Sequence, residues 1–245
     1  MNKIYTQLYT LREETAKDFF GVLDKLAKFG GAGVEFAGYG GISAKEMRSK
    51  LDSLGMTGIS SHVMLEDLQN NLDAEMEYLH TVGAKYIICP YGVIEDGESA
   101  KKYAESFNKI GEKCVKNGFT FGYHNHREEF TVTADGQLPM DILFDNVEPA
   151  YMIMQPDLYW IEYMGIDAVG YVLKNVDRCP IIHLKQIENM KSKKSVSADE
   201  GIIDFKKLMQ AEPNKIYIYE QEVYEEREPN FCIIEEVKKS IEFLR

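Results

Sequence analysis

The sequence predicts a single (β/α)₈ barrel over residues 1–245. Three observations carry that expectation. Short β-rich runs alternate with runs of helical period eight times, the pattern of a parallel sheet with crossover helices. The links are short, no interior linker divides the chain, and 245 residues suit eight such units. No GxGxxG or GxxxxGK turn follows a strand, so the runner-up, a doubly wound open sheet, lacks its phosphate-binding mark. Gly38-Tyr39-Gly40-Gly41 comes nearest and reads as a flexible loop.

The elements follow in order. Ile4 to Tyr9 alternates as a first strand. Phe19, Val22, Leu23 and Leu26 recur at helical spacing within Glu13 to Phe29, and Gly30-Gly31 ends that run. Gly33 to Ala37 is a second strand; a helix capped by Ser43 runs to Leu54 and stops at Gly55. Thr57 to His62 is a third strand, followed by one helix from Glu66 to Val82 that ends at Gly83. Lys85 to Pro90 is the fourth strand, ended by proline, and Ser99 to Lys116 is a long helix. The apolar run from Phe119 to Gly122 opens the fifth strand and leads into Tyr123-His124-Asn125-His126. A short helix spans Pro139 to Phe144, strand six is Tyr151 to Gln155, and Trp160 to Leu173 is mostly helical. Pro180 to Leu184 is strand seven, and Gln186 to Gly201 is a polar loop with the look of a mobile one. Asp204 caps a helix through Met209, Lys215 to Glu220 is strand eight, and Phe231 to Phe243 closes the chain.

Composition narrows the function classes. A formal net charge of -12 repels a phosphate backbone, and the densest basic run (Lys191, Lys193 and Lys194) is too small for a nucleic-acid footprint. The four cysteines, Cys89, Cys114, Cys179 and Cys232, form no CxxC pair, which suits reduced, mostly buried thiols in a cytosolic protein. No apolar run is long enough to span a bilayer, and the first residues lack a signal-peptide core. The expectation is a cytoplasmic protein with a small-molecule partner, no nucleic acid and no membrane, and with homo-oligomerisation left open.

In a barrel, the C-terminal strand ends and their loops form the active face. Gln7, Glu35, His62, Cys89-Pro90-Tyr91, His124 with His126, Asp157, His183 with Lys185, and Glu220 with Glu222 all fall there. Four of the five histidines belong to this set; His80, late in a helix, reads as a surface or capping residue. His124, Asp157, His183 and Glu220 come from successive strands and converge on the axis. Two imidazoles and two carboxylates suit a divalent transition metal with open positions for substrate oxygens. The plain alternative is a hydrogen-bonded polar rim.

Gly122-Tyr123-His124-Asn125-His126 with Glu129-Phe130, Pro156 to Trp160, Ile181 to Lys185, Glu200 to Asp204 and Tyr219-Glu220-Gln221 occur in that order. Together they resemble the xylose isomerase-like superfamily of barrels, in particular its sugar phosphate isomerase/epimerase branch, over essentially the whole chain. The resemblance implies a divalent metal, Mn²⁺ foremost with Co²⁺, Zn²⁺, Fe²⁺ or Mg²⁺ as alternatives. Asp157, His183 and Glu220 match three ligand positions, and His124 stands where related ketose epimerases have glutamate. The implied chemistry removes a proton beside a metal-polarised carbonyl, and the resulting enediolate is reprotonated at another face or carbon. Because a metal-bound glutamate base is replaced by His124, the acid/base work falls to Glu220 with Lys185 or His126. Gln7, Glu35 and His62 are expected on sugar hydroxyls and Trp160 over a sugar face. The superfamily's three-zinc DNA-repair endonucleases need histidines where this chain has Cys89 and Trp160.

Two positions depart from the branch: Gln155 replaces a common acidic residue, and Gln186 replaces the aspartate of His-Leu-Lys-Asp. These swaps motivate an alternative of another class, a catalytically silent sugar-binding barrel. The nearer alternative is a lyase or dehydratase on a 3-keto-glycoside or keto-inositol, since the same enolate can expel a β-substituent.

Overall fold

The computed structural model describes residues 2–223 and 231–245. Eight parallel strands form one sheet: β1 (Ile4–Gln7), β2 (Gly33–Phe36), β3 (Thr57–His62), β4 (Tyr86–Cys89), β5 (Thr120–His124), β6 (Ile153–Gln155), β7 (Ile181–Leu184) and β8 (Ile216–Tyr219). Their order, β6-β5-β4-β3-β2-β1-β8-β7, curls into a barrel whose two ends meet at β6 and β7. That seam is held by one parallel bridge, Asp157 to His183, with the His183 amide donating to the Pro156 carbonyl at 2.9 Å.

The crossover helices are α1 (Arg12–Lys28), α2 (Ala44–Leu54), α3 (Leu65–Asn70), α4 (Leu72–Val82), α5 (Gly97–Lys116), α6 (Pro139–Asp145), α7 (Leu158–Tyr163), α8 (Ala168–Lys174), α9 (Phe205–Ala211) and α10 (Ile233–Leu244). Local chemistry sets their ends. Ser43 and Glu46 form a reciprocal capping box on α2, and Gly55 ends that helix at φ 65°, a conformation glycine adopts without a Cβ penalty. Asp96 accepts from the Ser99 amide at the start of α5. The core lies between the strands and these helices, where Leu23, Val34, Phe36, Phe107, Phe121 and Ile182 are fully buried.

Three expectations are corrected. The single helix over Glu66 to Val82 is two, α3 and α4, because Asn71 leaves helical geometry (φ -128°), with both its amide and its side chain donating to Asp67. The helical stretch after Trp160 divides at Gly165, which takes φ 80°, and Asp167 caps α8. The polar loop after β7 carries a two-stranded antiparallel ribbon, Gln186–Ile187 with Ser195–Val196. Cys89, Cys114 and Cys179 are buried and Cys232 is exposed; burial pushes the three buried thiols up to about 12, so they stay protonated.

Register decides what meets inside the barrel. Gln7 on β1 pairs with Glu35 on β2, Glu35 with Ser60 on β3, and His124 on β5 with Gln155 on β6. In a parallel sheet such cross-strand partners point to the same face, so these side chains gather at the C-terminal end of the barrel. The polar cluster at the C-terminal end is therefore a direct result of strand pairing.

Candidate active site

Side chains from β5, β7, β8 and the seam after β6 assemble one cluster. His124, Asp157, His183 and Glu220 each offer a ligand-type atom, and these atoms lie within 4.8 Å of one another with all four residues buried. His183 Nδ1 is 2.7 Å from Glu220 Oε2, and His124 Nε2 is 3.8 Å from Asp157 Oδ2. Asp157 serves two ends: Oδ1 accepts from the Tyr159 amide and caps α7, whereas Oδ2 is buried without a hydrogen bond. The Lys185 ammonium stands 3.3 Å from that oxygen without hydrogen-bond alignment. A buried carboxylate oxygen without a hydrogen bond, beside two imidazoles and a second carboxylate, fits a divalent cation. A second grouping, His62 with His124 and His183, also converges.

Electrostatics sort the charge states. Burial disfavours the His183 imidazolium, but Glu35 and Glu220 outweigh it and push the ring up to about 10. Burial, with His183, His62 and His126 nearby, holds His124 well below the usual histidine range. Burial would raise Glu220, yet Lys185 and then His183 hold it ionised, well below the carboxylate range. Asp157, equally buried, rises to about 6 despite Lys185. Lys185 is stripped of water, and Asp157, Glu220 and Glu222 still keep it charged. Glu129 bonds the Tyr123 hydroxyl and, at 2.8 Å, the His126 amide; burial lifts it to about 7.

Above the cluster lies a cavity of about 580 Å³. Its wall includes His62, His124, His126, Glu220 and Glu222, with Tyr9, Tyr39, Met64 and Tyr91 toward the mouth. His126 is pushed down to about 4 by burial and Lys185, and its Nδ1 has no partner.

The remaining expected residues take different places. Gln7 and Glu35 are fully buried and do not line the cavity. The sequence set them against sugar hydroxyls; the structure instead commits both Glu35 oxygens to protein donors. Gln7 Nε2 and His183 Nε2 reach Oε1 at 2.7 and 2.6 Å, and Ser60 Oγ and Gln155 Nε2 reach Oε2 at 2.6 and 2.7 Å. Trp160 also lies outside the cavity wall, with its indole beside His126 at 5.5 Å and Lys185 4.9 Å from its ring centre. Lys185 is fully buried behind the carboxylates. Gln186 folds the loop: it donates to the Ala198 and Ile203 carbonyls and accepts from the Ile187 and Ile203 amides. Sequence reasoning missed Ser60 and the linking role of Gln155; the pairing register that reveals them is a tertiary fact.

Comparison with known proteins gives the same architecture. A family model described as a xylose isomerase-like TIM barrel matches residues 23–231. An inosose dehydratase of Clostridium perfringens (strain 13 / Type A) is 27% identical over 142 residues, covering 51% of this chain and 47% of that protein. The chain thus spans about half the length of that curated relative. The solved sugar phosphate isomerase/epimerase from Parabacteroides distasonis ATCC 8503 superposes with a TM-score of 0.83 at 25% identity, covering 99% of this chain and 97% of that one. The fold is also that of the 3-keto-D-glucoside 4-epimerase of E. coli, with a TM-score of 0.68, 15% identity, and coverage of 100% and 99%. No helix among the described residues is long and apolar enough to cross a membrane. By the extent of the family match and the eight-stranded barrel, the chain belongs to the xylose isomerase-like TIM barrel family.

Proposed function

We propose that the protein is a divalent-metal-dependent isomerase or epimerase of an uncharged keto-sugar or keto-glycoside. The observation that carries this reading is the buried His124, Asp157, His183 and Glu220 set beside a sugar-sized cavity. Mn²⁺ is the metal proposed for it, on the mixed imidazole and carboxylate donors. A bound divalent cation supplies Lewis-acid stabilisation of the oxyanion that develops when a proton leaves the carbon beside a carbonyl.

The chain's own groups handle the proton. Glu220 is ionised and faces the cavity, so it takes the C–H proton as that bond's electron pair becomes the C–C double bond of an enediolate. Return of the proton to the opposite face gives the epimer, and to the neighbouring carbon the isomer. Neutral His126, on the cavity wall, is the second proton carrier in reach. Lys185 acts from behind, keeping Glu220 and Asp157 charged and fixed. His62 and the mouth aromatics hold the sugar. The name borne by the curated relatives favours a second outcome: the same enediolate expels a β-hydroxyl, which leaves as water after protonation.

The described wall carries Asp67, Glu75, Glu220 and Glu222 and no lysine or arginine, so a phosphate dianion meets like charge there. One experiment tests both the reaction and the substrate class. Protein loaded with Mn²⁺ is incubated in D₂O with a 3-keto-glucoside and with its phosphorylated counterpart. Deuterium should enter beside the carbonyl of the neutral sugar, with kcat/KM at least about tenfold (about 1.4 kcal/mol) lower for the phosphorylated one. His183→Ala should lose both metal and exchange. Binding of the neutral sugar with neither exchange nor water loss would sink the enzyme reading in favour of a sugar-binding barrel.

A further inference from the structure

Two glutamines and one glutamate that do not line the cavity, Gln7, Gln155 and Glu35, form a device of their own. Glu35 is fully buried, and its carboxylate is surrounded by Gln7 Nε2, Ser60 Oγ, His183 Nε2 and, at 3.0 Å, His62 Nε2. Gln7 is anchored because its oxygen accepts from the Tyr9 amide at 3.0 Å, which turns its Nε2 to Glu35. Ser60 donates to the other carboxylate oxygen. A carboxylate ringed by donors accepts only, so the Gln155 group 2.7 Å from Oε2 must be its NH₂. The amide orientation follows: Gln155 Oε1 faces His62 Nε2 at 2.8 Å and His124 Nδ1 at 3.1 Å. An amide oxygen accepts only, so both of those ring nitrogens carry protons. With its proton on Nδ1, a neutral His124 ring would carry its lone pair at Nε2, on the side of Asp157 Oδ2. His183 Nε2 is bonded to Glu35 at 2.6 Å, which leaves Nδ1 on the side of Glu220.

We propose that Glu35 and Gln155 are positioning residues that set the imidazoles of His124 and His183, so that Nε2 of one and Nδ1 of the other meet a single cation. The inference rests on the metal reading above and deepens it. It selects between the two convergent groupings: His62 Nε2, His124 Nδ1 and His183 Nε2 are already bonded to Gln155 and Glu35, so the cation belongs among His124, Asp157, His183 and Glu220. It also gives Gln155 a reason to be an amide. With a carboxylate there, two acids would face each other across the 2.7 Å now bridged by an N–H. A cation held there would take the place of the His183 Nδ1 to Glu220 hydrogen bond, and Glu35 would keep the ring in place.

Two measurements test this, neither of them activity. Long-range ¹H–¹⁵N correlation spectra of the metal-free protein report which ring nitrogens are protonated. Neutral His124 should be the Nδ1–H tautomer; the Nε2–H tautomer would overturn the inference. Calorimetric titration with Mn²⁺ then compares wild type with Gln155→Met, Gln155→Glu and Glu35→Gln. Outer partners of metal-bound histidines are worth about 10–100-fold in affinity, and that loss is expected for Gln155→Met and Glu35→Gln. Gln155→Glu, which keeps an acceptor for His124 Nδ1, should bind more tightly than Gln155→Met. Wild-type binding matched by both Gln155→Met and Glu35→Gln would overturn this inference alone. Failure of the wild type to bind Mn²⁺ would overturn the metal reading and this inference with it.

Discussion

At the scale of the residue, the site is a balance of buried charge. Removing one partner of a buried ion pair typically costs about 3–5 kcal/mol, because the other charge stays behind without compensation. His183 shows what this means for pH. Its folded pKa, about 10, stands above the ordinary 6.5, so its contribution is fully present below 6.5 and disappears as pH rises toward 10. Urea unfolding of the metal-free protein should therefore show stability falling, by on the order of a few kcal/mol, between pH 6.5 and pH 9.5. His183→Gln should flatten that slope; an equal slope in the variant would assign it elsewhere. The clustering of His124, Asp157, His183 and Glu220 was legible in the sequence because imidazoles and carboxylates at successive strand ends are chemically conspicuous. Ser60 and Gln155 were not, since nothing in an isolated serine or glutamine says which residue lies across from it. For the same reason the sequence placed Gln7 and Glu35 against sugar rather than beneath the site.

Elements were legible where their stop signals are local. Ser43, Gly55 and Gly83 mark helix ends by their own chemistry, and the helices end where those residues say. Asn71 and Gly165 lie inside apolar periodicity, which masks the break between α3 and α4 and between α7 and α8. Strand β5 shows how an element aims a ligand. A Cβ at Gly122 would come 2.7 Å from Ile88 Cδ1 and 2.9 Å from Ile153 Cγ1, on the two neighbouring strands. Gly122→Ala should cost about 1–3 kcal/mol by overpacking. Because His124 lies two residues further along the same strand, Mn²⁺ affinity should fall with it. Wild-type affinity in a destabilised variant would show that β5 absorbs the strain before His124.

For the whole molecule, eight β-then-α units were readable from alternation alone, whereas the way the cylinder closes was not. Strand order around a barrel follows chain order, yet the strength of the final join depends on how well β6 and β7 align, and here they share one bridge. Asp157 and His183, which make that bridge, are also two of the four ligands proposed for the cation. Amide deuterium exchange reads this directly. Mn²⁺ should slow exchange in Ile153–Gln155 and Ile181–Leu184 more than in Ile4–Gln7 and Gly33–Phe36; uniform slowing would count against the idea. A cation at that join would work as a clasp on a split ring. Affinity and ring closure then become one quantity, and a substitution that pries β6 from β7 weakens binding even with every ligand in place.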